Sequence, residues 1–314
     1  MGCSLLWRSR RVCGAAARGP FLTPLFLEPL AACALALAVL AAPHAARAQN
    51  DAEGSKTDAE QGTDTEHIFG FTEGSDIGKK GEKEIEFNVV TRVGKPGRFT
   101  VVNGETLFKY VVTDRFRAAV GATTDFFSIR RVPDIPDRTR VTVSGLSGEF
   151  RYQLVERGAA PFGLTATFEP SFRRFDETTG ERLVAYALPI GLLFDTVAVP
   201  DRLYAALNVA YAPSFTRVNG VWTRGNGTEA SAAMAYAVTD RFFVGGELRG
   251  FSLNEGGLFR TNALFAGPTA YYRLADNVQI TGAYSIQLPN PSNGRVDLVN
   301  FERQQFFVRL AVGF

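Results

Sequence analysis

The sequence is poor in the residue types that carry most catalytic and metal chemistry. Its 314 residues include three cysteines and two histidines. Cys3, Cys13 and Cys33 all lie in a segment that we expect to be removed, so the exported chain has no thiol for a disulfide or a cysteine metal site. The sequence also lacks a Gly-rich phosphate loop and a dinucleotide fingerprint. We therefore predict no cofactor.

The sequence also has no apolar run long enough for a membrane-spanning helix. The main run, from Leu30 to Ala42, follows a basic opening and leads to Ala46-Arg47-Ala48. This order is typical of a secretory signal with a small-x-small cleavage site. We predict that residues 1–48 are a signal peptide, cleaved near Ala48.

Net charge is nearly absent from the exported chain. Cleavage removes five of the 34 basic residues and one of the 32 acidic ones, which leaves 29 basic and 31 acidic residues. Such a balance gives no reason to expect a nucleic-acid partner.

The chain from Lys83 to Phe314 consists of period-two stretches separated by turns. Short connections such as Thr113 to Arg115 alternate with longer ones such as Asn219 to Gly227 and Asn254 to Thr261. An even strand count with this alternation is the layout of bacterial outer-membrane barrels, with both termini in the periplasm. About twelve strands are predicted, near residues 83–94, 101–113, 115–131, 139–155, 161–175, 181–198, 202–217, 228–238, 241–253, 262–275, 277–288 and 302–314.

The last nine residues alternate most regularly and end on an aromatic carboxy terminus. The residues on the apolar face are Phe306, Val308, Leu310, Val312 and Phe314. This closing strand resembles the assembly signal of bacterial outer-membrane β-barrels, which the barrel-assembly machinery recognises. The resemblance implies an all-β fold, a transmembrane antiparallel up-and-down β-barrel over residues 83–314, surrounded by outer-membrane lipid and lipopolysaccharide. The alternative is an amphipathic strand that ends a soluble sheet.

Residues 49–82 are acidic, and we predict a largely disordered periplasmic lead or a plug. Within them, residues 67–76 (HIFGFTEGSD) combine aromatics and glycines. This stretch is interpreted either as a plug or clasp at the barrel mouth, or as a linker whose aromatics pack on the rim. Together with the run at 78–84 and the strand after it, it resembles an uncharacterised family of proteobacterial outer-membrane proteins, which has no established activity.

Charged residues of the predicted strands fall almost entirely on one parity. In the third strand Phe116 and Val120 face one way, whereas Arg117 and Asp125 face the other. A lipid-facing charge costs about 2 to 4 kcal/mol at mid-bilayer, so the charged parity should face the lumen. The predicted lumen-lining residues are Lys109, Arg117, Asp125, Glu149, Arg151, Glu169, Arg173, Glu247, Arg249, Arg273 and Arg309.

Three interpretations of this lumen remain open. Charges of both signs could pair across the strands and nearly fill the interior. Separated acidic and basic rows could instead orient a small polar or zwitterionic solute in a narrow channel. Apolar lumen residues such as Phe127 and Phe265 would also suit hydrophobic compounds. The leading function is passive transport of small solutes, and the alternative is a closed structural or surface-interaction barrel.

Two further expectations follow from single residue types. His44 leaves with the signal and His67 precedes the first strand, so a histidine-dependent hydrolase of the outer-membrane lipase kind is not expected and the protein is predicted not to be an enzyme.

Prolines lie inside four predicted strands, where a residue without an N–H interrupts the ladder. We expect bulges, or strands rising above the membrane, at Pro170, Pro189, Pro213 and Pro268.

Overall fold

A computed structural model describes residues 64–255, 258–290 and 294–314 of the chain. The expected signal peptide and the first part of the expected lead, residues 49–63, lie outside the described residues. No helix in the described part of the chain is long and apolar enough to cross a membrane.

All regular structure in the described residues is antiparallel β-sheet. The strands are β1 (Lys83–Val93), β2 (Arg98–Thr113), β3 (Phe116–Arg130), β4 (Arg138–Val155), β5 (Phe162–Phe168), β6 (Ser171–Phe175), β7 (Arg182–Ala187), β8 (Ile190–Val199), β9 (Leu203–Val218), β10 (Val221–Thr239), β11 (Phe242–Glu255), β12 (Leu258–Ala275), β13 (Val278–Leu288) and β14 (Gln304–Gly313).

These strands form one closed barrel with twelve spans. β5 and β6 both pair with β4 and are two halves of one span, and β7 and β8, which both pair with β9, are another. Each span pairs with its sequence neighbours, and β1 pairs with β14, which closes the barrel. The predicted all-β, twelve-stranded antiparallel barrel is therefore confirmed.

Alternation of side chains separates an apolar outside from a polar inside. Val120 and Val141 are 66% and 68% exposed on the outer face, whereas Arg117 and Asp125 of the same wall are buried. In the closing strand, Phe306 and the terminal Phe314 lie outside. A period of two is what a sheet with lipid on one face requires.

The two ends of the barrel differ in their connections, as predicted, although two loops are shorter than expected. Residues 113–116 and 239–242 turn tightly at the end that carries the start of β1 and the carboxy terminus, which in bacterial barrels is the periplasmic end. At the outer end, the predicted loop from Asn219 to Gly227 is wrong. Asn219 and Gly220, with φ of 50° and 84°, form a tight hairpin turn, and β10 resumes at Val221.

The predicted loop from Asn254 to Thr261 is also wrong, because β11 continues to Glu255 and β12 resumes at Leu258. In both hairpins the strands extend further toward the outer end than their glycines and polar residues suggest.

The expected bulges at the prolines are absent, because the strand register is the same on both sides of each proline. Ala187 pairs with Ser214 and Ile190 with Tyr211, so β7 and β8 keep one register along β9. Each of three prolines still accepts one hydrogen bond through its carbonyl. The donors are the N–H groups of Gly148 to Pro170 (2.8 Å), Glu169 to Pro189 (2.9 Å) and Leu188 to Pro213 (3.0 Å).

Pro268 likewise stays in register, opposite Gly246 of β11. A proline in this wall therefore removes one donor from the ladder without inserting a residue. The span is divided into two strands at Pro170 and Pro189, whereas β9 and β12 run on through Pro213 and Pro268.

Candidate functional site

Residues 64–77, which we call the plug, lie inside the barrel rather than on its rim. Most of their side chains are buried, and Ile68 and Phe69 are 1% and 0% exposed. These two residues pack with Tyr204, Phe243 and Tyr271 on the inner wall. The segment has no regular secondary structure, so its conformation depends on its contacts with the wall.

Glycine permits the close approach of the plug to the wall. Gly70 has φ of +104°, a conformation that L side chains rarely adopt. A Cβ atom there would lie 2.7 Å from Cγ2 of Thr269. A larger residue at position 70 would therefore strain the backbone and also clash with the wall.

Glu66 ties the plug to three cations of the wall. Its carboxylate accepts hydrogen bonds from the ammonium of Lys109 at 2.8 Å and from Nη2 of Arg117 at 2.7 Å, and it lies 3.5 Å from Nη1 of Arg151. Burial alone would raise the pKa of Glu66, but Arg117 and Lys109 outweigh it and hold that pKa well below its usual range. The carboxylate is therefore ionised at neutral pH.

Glu73 makes the second ionic attachment. Its two carboxylate oxygens accept hydrogen bonds from the guanidinium groups of Arg151 and Arg309. Burial opposes ionisation here as well, yet these arginines keep the pKa of Glu73 well below its usual range. Arg151 thus bridges both plug glutamates.

The wall also supplies carboxylates to the plug. The backbone N–H groups of Phe71 and Thr72 donate to Oε2 of Glu247 at 3.0 and 3.1 Å. The guanidinium carbon of Arg249 lies 3.4 Å from the ring centroid of Phe71, which is stacked on Phe307 at 4.7 Å. This attachment combines charge, hydrogen bonding and ring stacking.

A fourth attachment involves Asp195, which is not among the residues predicted to line the lumen. The hydroxyl of Ser75 donates to it at 2.7 Å, and the hydroxyl of Thr65 also contacts it. Arg157 spans the same site, since it lies 2.7 Å from Asp195 and 2.6 Å from Asp76 of the plug. Asp195 has the same strand parity as Leu193, which is buried on the inner face of β8, so alternation could have revealed it.

His67 lies within the plug among carboxylates. Burial would lower its pKa, but Glu66 and Glu84 outweigh that effect and raise the pKa above its ordinary value. Its ring nitrogens lie 3.3 Å from Glu84 and 3.4 Å from Arg309. No hydroxyl or thiol is among the ring's hydrogen-bond partners in the described residues, so the arrangement of a serine hydrolase is not formed there.

The same carboxylates have the donor spacing of a metal site. Glu66, His67, Glu84 and Glu86 bring donor atoms within 4.8 Å of one another. However, the ammonium of Lys109 lies 2.8, 3.0 and 2.6 Å from the three carboxylates. A lysine therefore supplies the positive charge that a metal ion would otherwise provide.

The outer half of the lumen is narrowed by loops that fold inward. The loop at 176–181 is held by Asn103, whose amide donates to the backbone carbonyl of Glu177 at 2.9 Å. The loop between β13 and β14 is held by two cations. The ammonium of Lys95 donates to three backbone carbonyls of this loop, and Arg92 lies 2.6 Å from its Glu302. These contacts leave a space between the loops and the plug.

That space is a cavity of about 180 Å³ inside the lumen. Phe71 of the plug forms part of its lining, together with charged residues of the wall and of the inward loops. The cavity is thus limited by the plug on the periplasmic side and by the loops on the outer side.

The structure distributes the predicted lumen residues over three environments. Glu149, Glu169, Arg173, Arg249 and Arg309 line the cavity. Arg273 lies near the periplasmic rim, in a separate pocket with Asp64 and Glu82. The remaining members are buried in contacts with the plug or with one another, and they are Lys109, Arg117, Asp125, Arg151 and Glu247.

Sequence reasoning missed the partners that come from outside the strands. Glu66 and Glu73 lie in the stretch predicted to be a lead or a plug, and Glu177 and Glu302 lie in outer loops. Strand parity carries no information about such residues. Only the folded chain shows that they enter the lumen.

Comparison with known families identifies the chain. A family described as "Family of unknown function (DUF6662)" matches residues 61–314. The chain belongs to this family. The match begins just before the plug, so plug and barrel are both part of what defines DUF6662. No curated protein matches the sequence of this DUF6662 member.

Similar barrels occur among solved structures. The fold is similar to the COG4313 outer membrane channel from Pseudomonas putida F1, with a TM-score of 0.55 and 12% identity over 76% of this chain and 98% of that chain. The NanC porin, at 11% identity, and the KdgM porin, at 12%, have TM-scores of 0.45. They cover 73% and 74% of this chain, and 98% and 99% of their own lengths are matched. The expected resemblance to bacterial outer-membrane β-barrels is confirmed, since this DUF6662 protein has the fold of that class.

Proposed function

We propose that the protein is a passive channel for small solutes, and that the plug closes the periplasmic half of its lumen. The observation that carries this proposal is the cavity of about 180 Å³ within the lumen, lined by charged and aromatic side chains and limited on one side by the plug. A solute that enters from the outer end would reach this cavity and then require the plug to move.

The chemistry of the plug supports reversible movement. Most of its attachments are ion pairs and hydrogen bonds, such as those of Glu66, Glu73 and Ser75. Water can replace these partners for both sides when the segment leaves the lumen. The apolar part of the contact is confined to a few side chains, such as Ile68, Phe69 and Phe71, and its exposure opposes release.

The second candidate is a closed structural barrel. Ion pairs between Glu66, Glu73 and four wall cations fill the periplasmic half of the lumen, and buried ion pairs are costly to separate. On this alternative the plug is a permanent part of the core. Sites of interaction would then lie on the outer loops.

An engineered disulfide separates the two candidates. Residues 49–314 contain no cysteine, so two introduced cysteines have no competitor. A Cβ atom built on Gly163 of β5 would lie 3.1 Å from Cβ of Ser75 in the plug. Disulfides need about 3.5 to 4.5 Å between Cβ atoms, so a shift of a few tenths of an ångström, with Asp195 moving aside, allows the bond.

The experiment compares conductance of the refolded S75C/G163C variant of residues 49–314 in planar bilayers before and after reduction. We expect no current from the oxidised form and current from the reduced form, with each single-cysteine variant behaving as the reduced form. Equal currents in both forms would show that the plug is not the gate. If neither the reduced form nor a variant lacking residues 64–77 conducts although folded, the closed barrel is the correct interpretation.

A further inference from the structure

The cations that line the cavity are already engaged by other groups. Arg249 lies against the ring of Phe71 and 3.8 Å from Glu247. The other lining arginines contact carboxylates, as Arg92 does with Glu302, Arg173 with Asp125 and Arg309 with Glu73. Most of this positive charge is therefore compensated, and among the lining arginines only Arg249 has a buried N–H group, at Nε, without a hydrogen-bond partner in the described residues.

Three lining carboxylates have no such partner among the described residues. Glu105 accepts a hydrogen bond from the hydroxyl of Ser147 at 2.5 Å and makes no salt bridge. Glu169 is half-buried in the wall and makes no salt bridge either. Glu177 is 2% exposed, and its Oε2 atom is buried without a hydrogen-bond partner.

A buried carboxylate oxygen without a partner is unusual, because the desolvation of such a group costs free energy that a hydrogen bond normally offsets. Glu177 sits on an inward loop, and that loop is fixed at its backbone by Asn103 and by Arg138, which donates to the carbonyl of Thr179 at 2.6 Å. The side chain of Glu177 is thus held at the cavity by contacts that do not satisfy its own acceptor.

The cavity also contains aromatic rings. Phe251, Phe301 and Phe307 line it together with Phe71. Ring faces attract cations and also accept apolar groups. Arg249 is an example of a cation on these rings, since its guanidinium carbon lies 3.4 Å from the ring centroid of Phe71 and 5.4 Å from that of Phe251.

We propose that the cavity binds a small organic cation, with its ammonium group among Glu105, Glu169 and Glu177 and its apolar body against Phe251 and Phe301. This inference rests on the proposed function, because it names the class of solute that such a channel would accept. A carboxylate solute would instead meet three like charges, and three of the four lining arginines are already paired with carboxylates.

The ionisation of Glu177 gives the proposal a further signature. Burial raises the pKa of Glu177 to about 7, although Arg92 and Arg173 lower it and Asp176 and Asp125 raise it. A bound cation favours the ionised carboxylate, so binding releases a proton when the pH is below that pKa. Affinity should therefore increase between pH 6 and pH 8.

The test uses refolded residues 49–314 in detergent and three probes of one shape: benzylamine, benzyl alcohol and benzoate. Calorimetry at pH 8 measures their binding to the closed barrel, without requiring current. We expect benzylamine to bind and the other two to bind at least about tenfold more weakly, since a hydrogen bond to a charged group corresponds to roughly that ratio or more.

Two variants assign the effect to the cavity. E177Q should weaken benzylamine binding about tenfold or more and reduce the increase between pH 6 and pH 8. E105Q, on a half-buried side chain, provides a second variant that should also weaken binding if E177Q does not fold. E156Q removes an exposed glutamate at a periplasmic turn and should leave binding unchanged.

Two results would overturn the inference: benzoate binding as tightly as benzylamine, or benzylamine binding that E177Q and E105Q leave unchanged. Conductance, and not benzylamine binding, tests the channel proposal. A barrel that binds benzylamine but never conducts keeps the site and loses the channel, whereas a conducting barrel without benzylamine binding keeps the channel and loses the site.

Discussion

Replacing Glu66 by glutamine is the most direct perturbation of the plug, because this carboxylate serves three cations at once. Its Oε1 atom lies 2.8 Å from the ammonium of Lys109, 2.7 Å from Nη2 of Arg117 and 3.5 Å from Nη1 of Arg151. Glutamine keeps the size of the side chain and removes its charge. The change therefore isolates the electrostatic part of the attachment.

The expected loss of binding free energy for the plug depends on the carboxylate partners that the three cations retain. Removing one partner of a buried ion pair costs about 3 to 5 kcal/mol. Lys109 retains Glu84 and Glu86, and Arg117 retains Glu149 at 3.0 Å, so the lower end applies. A loss of about 3 kcal/mol corresponds to roughly a hundredfold shift toward the released plug.

The assay is the fraction of time that single refolded barrels of the E66Q variant conduct in planar bilayers, relative to the unmodified chain. E82Q is the matched control, because Glu82 is exposed just outside the plug and loses the same charge. An open fraction of E66Q equal to that of E82Q would refute the reasoning that these ion pairs hold the plug.

Four further outcomes are expected. Because the pKa of His67 is raised in the folded barrel, its contribution to plug binding is present below the ordinary pKa of 6.5 and is lost as the pH rises through the raised pKa. The open time of the channel should therefore increase from pH 6 to pH 9, and the H67Q variant should lack this increase. G70A should raise the open fraction, since the added Cβ would lie 2.7 Å from Thr269 at a positive φ; equal conductance traces would contradict this. F314A should reduce the amount of folded barrel in outer-membrane fractions while leaving export intact. P213A should raise the free energy of unfolding by about 1 kcal/mol, measured by denaturant titration, because it restores one ladder donor.

The barrel was predictable from sequence because lipid imposes a rule on every second residue. Alternation such as that of Arg117 and Asp125 with Val120 is local, so it can be recognised without knowing the partner strand. Hairpin ends were less predictable. Gly225 and Gly227 suggested a loop, yet the αL-prone pair Asn219-Gly220 was sufficient for a tight turn.

The plug was not predictable to the same degree, because its contacts join residues distant in sequence. Glu66 and Arg151 are 85 positions apart, and Glu73 and Arg309 are 236 apart. Their segment has the acidic composition of a disordered lead, and composition contains no information about four cations that meet inside a barrel. The aromatic and glycine content of residues 67–76 was the signal that distinguished it.

The plug also changes the charge of the lumen that it occupies. Lys109, Arg117, Arg151 and Arg309 face five carboxylates while the plug is bound, and Glu66 and Glu73 are two of these. When the plug leaves, the four cations retain three wall carboxylates, which are Glu84, Glu86 and Glu149. An open lumen would therefore place a positive zone at the periplasmic side in series with the acidic cavity. Ion selectivity in the open state then reflects both zones, whereas binding to the plugged barrel reports the cavity alone.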